Sequence, residues 1–292
     1  MKQGNKPSFR LELKKFDPKK IKDDSVIVAI AARNRGKSVC IKDILSYHTG
    51  IPIGMVISPT EHANSYFQHF IPKLLIHDEY TPDIISKYVQ RQQKISGKHK
   101  KELETYGYSS VDPRSFLVMD DAMYDKSWTN DANIRKIFMN GRHYKILFLL
   151  TMQFPMGISP ALRTNIDYVF IFKENIKKNR ERLYDHYAGM FPSLQVFEQV
   201  LDQVTQDYGC LVIDNRAPGS KLEDQVFWYK ADPNKNFKLC NSDLWDMQSI
   251  QDEKEKLSNY DDKEEEDEQY DPNIVVKNSK NSCKITVKKK QY

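Results

Sequence analysis

A glycine, a lysine and a serine in direct succession, Gly36, Lys37 and Ser38, close the stretch AIAARNRGKS that grows out of the apolar run VIVAI at 26–30. Glycine lets the main chain come close to an anion. The lysine ammonium can reach phosphate oxygens, and a hydroxyl that opens a helix can ligate Mg²⁺. Residues Ala32, Arg33, Asn34, Arg35, Gly36, Lys37, Ser38 and Val39 therefore read as a loop whose backbone N–H groups surround the phosphates of ATP. Ala31 stands where such loops begin with glycine, and alanine is the least costly replacement if its φ is negative. Matches to so short a motif also arise by chance, but the strand before it and the apolar stripe after it (Val39, Ile41, Ile44, Leu45) supply the context it needs.

A second pair of groups completes that chemistry. FLVMDDAM at 116–123 sets Asp120 and Asp121 behind four apolar residues. A nucleotide-hydrolysing site needs an acid for Mg²⁺ at the end of a neighbouring strand, and Asp120 is assigned to it, directly or through water. Asp121 is assigned to orient or deprotonate the attacking water, a task more often given to the longer glutamate. The same pair can also simply cap a following helix. ILFLLTMQ at 146–153 puts Thr151 and Gln153 at the carboxyl end of another strand, where α/β sheets place their ligands. Gln153 can bridge the γ-phosphate or the water, or be an ordinary loop glutamine. In FMNGRHYKI, Gly141 reads as the residue just past a helix over 130–140, with Arg142 and His143 on the turn. Arg142, or Arg163 in ALRTNIDYVFIF, can stabilise charge on a γ-phosphoryl group held by an adjacent subunit, although loop arginines are often only solvated.

Positioning these groups takes a sheet. Apolar runs recur at 26–30, 53–58, 116–120, 146–151, 168–172, 210–214 and 225–229, continuous rather than alternating, as in strands buried on both faces. Segments 38–48, 61–70 and 130–140 between them suit helices. This alternation predicts an α/β fold with a mainly parallel sheet. The turn-rich NRAPGSKLED between the last two runs predicts an antiparallel hairpin at the sheet edge. Residues 1–24 are expected to be a polar lead-in, 25–250 the nucleotide-binding domain, and 251–292 a disordered tail, acidic and then basic, with too few large apolar residues to offset its ordering entropy.

The chain has 292 residues, 39% of them hydrophobic, enough for a substantial core, and a net charge of +5 that the run DDKEEEDE at 261–268 holds down. A mildly basic body is compatible with nucleic acid. No run approaches the roughly 18 apolar residues of a membrane span, and the start lacks the apolar region of a signal peptide. Cys40, Cys210, Cys240 and Cys283 lie far apart, without metal-ligand spacing, and read as reduced thiols.

The phosphate loop, a long insertion, MDD, NGRHYKI, TMQ and LRTNIDYVFIF occur in that order. Together they resemble the virion DNA-packaging ATPases of nucleocytoplasmic large DNA viruses, of the poxvirus type, in the FtsK/HerA superfamily of P-loop NTPases. The resemblance covers roughly residues 25–230. It implies a RecA-like P-loop fold and an ATP-driven motor moving double-stranded DNA into a capsid in the virion or viral factory. It also implies a homo-oligomeric ring and capsid or portal partners. It places the nucleotide on Lys37 and Ser38, Mg²⁺ on Asp120, the catalytic acid at Asp121, the polar sensor at Gln153 and the trans-acting arginine at Arg142, with Arg163 next.

A motor indifferent to sequence should grip DNA phosphates. The basic insertion at 87–110, with Arg91, Lys94, Lys98, Lys100 and Lys101, is one candidate. A helix over 173–189 is another, with Ile176, Leu183, Tyr184 and Tyr187 inward and Lys177, Lys178, Arg180 and Arg182 outside that stripe. Either can equally be a solvated face. Two other functions fit a loop of this kind. A non-hydrolysing DNA-binding or scaffold protein with a decayed P-loop is suggested by Ala31 and opposed by the intact Lys37, Ser38, Asp120 and Asp121. A nucleotide kinase is opposed by the absence of an arginine-rich lid.

Overall fold

In the computed structural model, which describes residues 11–121 and 126–261, nine strands form a single sheet in the order β1-β9-β8-β7-β2-β6-β5-β3-β4. The elements run β1 (Lys14–Lys15), β2 (Val26–Ile30), α1 (Lys37–Leu45), β3 (Gly54–Ile57), α2 (Glu61–Asn64), β4 (Ile76–His77), α3 (Pro82–Tyr106) and β5 (Ser115–Met119). They continue with α4 (Ala132–Asn140), β6 (Ile146–Met152), α5 (Pro160–Arg163), β7 (Tyr168–Ile171), α6 (Lys177–Tyr187), α7 (Leu194–Val204), β8 (Cys210–Asp214), α8 (Leu222–Gln225), β9 (Val226–Tyr229) and α9 (Ser242–Asp261). All pairings are parallel except those of β8, which runs antiparallel to both β7 and β9. One compact unit reaches Gln248, and a second begins at Ser249.

Both faces of the central strands are buried, which is why their sequences are continuous apolar runs. Val28, Leu150, Met119 and Val169 face a layer that includes Ile85 of α3, Ile134 of α4, Leu183 of α6 and Leu201 of α7. Ile27, Leu149, Val118 and Phe170 face the other layer, with Ile41 and Ile44 of α1 and the rings of Phe67 and Phe70. Side chains of successive strand residues alternate between the two layers, as the period of two requires.

Several expectations change in detail. The helix expected at 61–70 stops at Asn64 because the Glu61 carboxylate accepts the N–H groups of Tyr66, Phe67 and Gln68 at 3.1, 3.0 and 2.9 Å. The chain there turns through a left-handed Ser65 into a single 3₁₀ turn. The helix expected at 173–189 begins only at Lys177. Ile176 is its N-cap, with extended backbone and its N–H donated to the Glu174 carboxylate at 2.8 Å, so Ile176 is 59% exposed rather than inward. Gly141 is not a left-handed cap: its φ is -53°, and a Cβ there would lie 2.4 Å from the Ile137 carbonyl oxygen, so close packing is what demands glycine.

The β8–β9 hairpin forms but does not end the sheet, since β1 adds outside β9 in parallel. The lead-in thus enters the sheet from Lys14, and Phe16 and Ile21 are buried. Of the segment 87–110, residues 87–106 form most of the single long helix α3, which a left-handed Gly107 ends. At the other end, residues 251–261 are helical rather than disordered. Gln, Glu and Lys have good helix propensity, and Gln251 reaches Glu255 one turn on at 3.2 Å. The remainder of the expected tail, 262–292, with Cys283, lies outside the described residues, as do 122–125. No helix among the described residues is long and apolar enough to cross a membrane.

Candidate nucleotide site

β2 delivers the loop at the carboxyl edge of the sheet. Ala31 is buried and its N–H donates to the Met152 carbonyl at 2.9 Å, continuing the β2–β6 ladder. The positive-φ positions of the loop are Asn34 (57°) and Gly36 (91°), not Ala31. Alanine therefore carries no conformational cost where the motif usually has glycine, while Gly36 occupies the region that favours glycine. Gly36 also caps α1 by its backbone, so the helix N-terminus, with Lys37 first and Ser38 second, opens onto the loop's concavity.

β6 lies between the loop strand and the acid strand β5. Asp120 directly follows β5, and its N–H donates to the Ile57 carbonyl at 2.9 Å. The Ser38 hydroxyl donates to Asp120 Oδ2 at 2.9 Å and the Thr151 hydroxyl to Oδ1 at 2.6 Å. Thr151 in turn accepts the Asp121 N–H at 2.9 Å. One threonine on the intervening strand thus aligns both acids. Burial pushes the Asp120 carboxyl above its ordinary pKa and the neighbouring Asp121 charge adds to that, while the Thr151 and Ser38 hydrogen bonds and the charge of Lys37 oppose it.

Lys37 is buried, and its ammonium donates to the carbonyls of Ala31 at 3.1 Å and Ala32 at 3.2 Å. It stands 3.7 Å from Asp121 Oδ1, a buried oxygen without a hydrogen-bond partner. Asp121 has φ 53°, a strained conformation for a residue other than glycine, of the kind held at functional sites. The cavity between these groups has a volume of about 410 Å³ and is lined by residues 33–39, Thr60, Asn64, Asp120 and Asp121.

The structure therefore brings together Arg33, Asn34, Arg35, Gly36, Lys37, Ser38, Val39, Asp120 and Asp121. Ala32 contributes its carbonyl to Lys37 rather than a wall of the cavity. Gln153 follows β6 half-buried and does not line the cavity. Arg142 lies at the opposite, amino edge of the sheet, where Nη2 donates to Asp167 Oδ1 at 2.8 Å. The five residues of β2, at ~3.3 Å each, put that edge roughly 17 Å from the loop. Arg163 is engaged within its own subunit: Nη1 donates to the Ile158 carbonyl at 2.9 Å, and the guanidinium lies over the Tyr187 ring. Thr60 and Asn64 were missed by sequence reasoning. They lie in TEHAN at 60–64, two residues past the strand GMVI, a polar stretch of ordinary loop composition.

The oxygens present fit Mg²⁺. A hydroxyl and a buried carboxylate meet at 2.9 Å beside a carboxylate oxygen that has no hydrogen-bond partner, a hard, all-oxygen set. Among the described residues no group of three or more His, Cys, Asp or Glu forms a metal cage. In nucleotide sites Mg²⁺ is usually held by one or two protein oxygens plus phosphates and water. Ser38 and Asp120 would hold it.

The two basic stretches differ in exposure. On α3 only Ile85, Tyr88, Val89 and Gln92 are buried, and Arg91, Lys94, Lys98, Lys100 and Lys101 are all exposed. Lys98 and Lys100 face Glu102 and Glu104 one turn on, at 3.7 and 3.8 Å. On α6, Arg180 is only 16% exposed and is paired with Asp202 at 2.6 Å. That takes it out of the basic stripe.

No family model matches the chain. It is 44% identical to protein L437 of Acanthamoeba polyphaga mimivirus over 223 residues, covering 76% of this chain and 78% of that one. It is 39% identical to protein 075L of Invertebrate iridescent virus 6 over 207 residues, covering 70% and 74%. Among solved structures, the genome packaging NTPase B204 of Sulfolobus turreted icosahedral virus 2, in complex with AMP, superposes with a TM-score of 0.50 at 15% identity. The match covers 73% of this chain and all of that one, a likeness of fold. With its mostly parallel sheet, its phosphate loop after β2 and its paired acids after β5, the chain belongs to the family of nucleocytoplasmic large DNA virus proteins that includes mimivirus L437, and is built on the fold of a viral genome-packaging NTPase.

Proposed function

We propose that the protein is an ATPase that drives double-stranded DNA into a capsid during virion assembly, acting as a homo-oligomeric ring in the virion or viral factory. The observation that carries this reading is the hydrogen-bonded line Ser38–Asp120–Thr151–Asp121, closed by Lys37, around one cavity at the start of α1. A site of that composition suits hydrolysis of a phosphoanhydride. The fold of B204, a genome packaging NTPase, and the membership among large DNA virus proteins support the cargo.

In this mechanism the loop N–H groups and Lys37 bind the phosphates, the ammonium exchanging the Ala31 and Ala32 carbonyls for phosphate oxygens. Ser38 and Asp120 would hold Mg²⁺, which would supply positive charge against the phosphates. Thr151 fixes the Asp121 backbone, and the Asp121 carboxylate orients the attacking water and takes its proton. Gln153, just past β6 and outside the cavity wall, would have to turn toward the γ-phosphate to sense it. Arg142 acts on a neighbouring subunit's nucleotide, with Arg163 the second candidate. Lys94, Lys101 and their neighbours on α3 grip DNA phosphates. A decayed, non-hydrolysing loop loses its main support, since Ala31 lies outside the left-handed region.

The experiment is steady-state hydrolysis of ATP with and without duplex DNA across a range of protein concentrations. Turnover is expected to rise with DNA as the ring assembles. Hydrolysis indifferent to DNA at every concentration would remove the motor, and absence of ATP binding would remove the enzyme.

A further inference from the structure

A second cavity, of about 650 Å³, opens on the side of the phosphate loop away from Asp120. It shares Asn34, Gly36 and Val39 with the phosphate cavity, so the two adjoin across the loop. Its far wall comes from the segment before β8 and the segment after β9. Because β8 runs antiparallel to β7, and β9 antiparallel to β8, both segments return to the carboxyl edge where the loop sits. Sheet order then sets a direction. From β2, the acids lie two strands away toward β5, and this second cavity lies on the opposite side, toward β7, β8 and β9. A triphosphate with its γ end between Lys37 and Asp121 has its nucleoside end directed here.

The wall suits a flat ring. Tyr208 is 70% exposed, although aromatic side chains usually bury most of their surface. It stands against the loop: a Cβ built on Gly36 would be 3.7 Å from Tyr208 Cδ1 and 3.9 Å from the Phe172 ring. Asp207 and Tyr208 have φ of 48° and 62°, two successive left-handed residues of which neither is glycine. That sparsely populated conformation kinks the chain after α7 and holds Tyr208 beside the loop. Ala231 and Pro233 add apolar surface.

We propose that this cavity is the nucleobase site and that Tyr208 is its stacking residue, with the aromatic base of the triphosphate lying against the phenol ring. The proposal rests on the nucleotide reading given above for the phosphate loop. Stacking is tolerant of base identity because every base has a π-face, so adenine and guanine nucleotides are accepted alike.

The test compares Mg-ATP, Mg-GTP and inorganic tripolyphosphate as ligands of the full chain, by calorimetry. The unmodified protein is expected to bind both nucleotides within a fewfold of each other, and both more tightly than tripolyphosphate. Tyr208→Ala should weaken ATP by roughly tenfold or more and leave tripolyphosphate unchanged, with Tyr208→Phe near the parent. Ala231→Trp, which fills the cavity without touching the kinked pair, should selectively weaken the nucleotides in the same way. Equal losses for ATP and tripolyphosphate in these variants, or none for either, would overturn the base site while leaving the phosphate site standing. A parent protein that binds neither ligand would remove both.

Discussion

The Thr151 hydroxyl sits between the two acids of the site, donating to Asp120 at 2.6 Å and accepting the Asp121 N–H at 2.9 Å. Because β6 separates the loop strand from the acid strand, this threonine is the only protein group bonded to both carboxylate residues in the hydrogen bonds described around them. Its loss should disturb alignment more than affinity. Thr151→Val is expected to lower kcat by roughly 10- to 100-fold, within the range for positioning and acid–base effects, with KM for ATP changed by less than threefold. A KM that rises in step with the fall in kcat would assign Thr151 to binding instead.

Asp121 sits at φ 53°, where glycine is at ease and aspartate is not. Replacing it with glycine should remove the carboxylate and relieve the backbone together. Asp121→Gly is expected to abolish hydrolysis and to leave thermal stability equal or higher, since a left-handed aspartate costs on the order of 1 kcal/mol. A clear fall in melting temperature would show that the side chain is structural.

Arg142 is held by Asp167, a buried carboxylate that also accepts the Val26 N–H at 2.8 Å and lies 3.7 Å from Arg216 Nε. If Arg142 works across a subunit boundary, it has to exchange that partner for a nucleotide. Arg142→Ala is therefore expected to bind ATP normally and not hydrolyse it. A mixture with Lys37→Ala protein should regain part of the activity, because the Lys37→Ala subunits carry an intact arginine. Melting curves for the variant guard against simple unfolding around Asp167. A mixture as inactive as its components would leave Arg142 with its structural role alone.

The pH dependence of folding offers a test away from the site. The hydrogen bond from His48 and the Arg114 guanidinium hold the Asp23 carboxyl down to about 2, although partial burial opposes them. A depressed carboxyl stabilises the fold above its ordinary pKa near 4. That contribution is lost as pH falls from there toward 2. Asp23→Asn should therefore lower stability at neutral pH, by about 1 kcal/mol once solvent screening is allowed for, and flatten the melting-temperature profile between pH 4 and 2. An unchanged slope in that acid window would contradict the assignment.

Much of this arrangement is legible in the residues. The apolar runs give the central strands because both faces of the sheet are covered, so no alternation blurs them. The phosphate loop reads directly because its chemistry is contiguous in sequence. What escapes sequence reasoning depends on long-range partners. Glu61 ends its helix by accepting three N–H groups beyond it, and β1 exists only because β9 lies beside it. Nothing in the types of Thr60 and Asn64 marks them as cavity wall, since that follows from β3 lying beside β5. Arg142 shows the same limit in reverse. Its sequence neighbourhood suggests a reactive arginine, whereas its partner, Asp167, is known only once β6 and β7 are seen flanking β2.

The pairing of Lys14 with Phe227 joins the beginning of the described chain to the last strand in chain order. Phe16, edge-on to Tyr168, Phe170, Phe227 and Tyr229, has none of those four rings available while only the first half of the polypeptide has emerged from the ribosome. Contacts so distant in sequence form slowly. Docking of β1 and Phe16 therefore waits for β7 and β9, which makes this edge of the sheet a late step of folding.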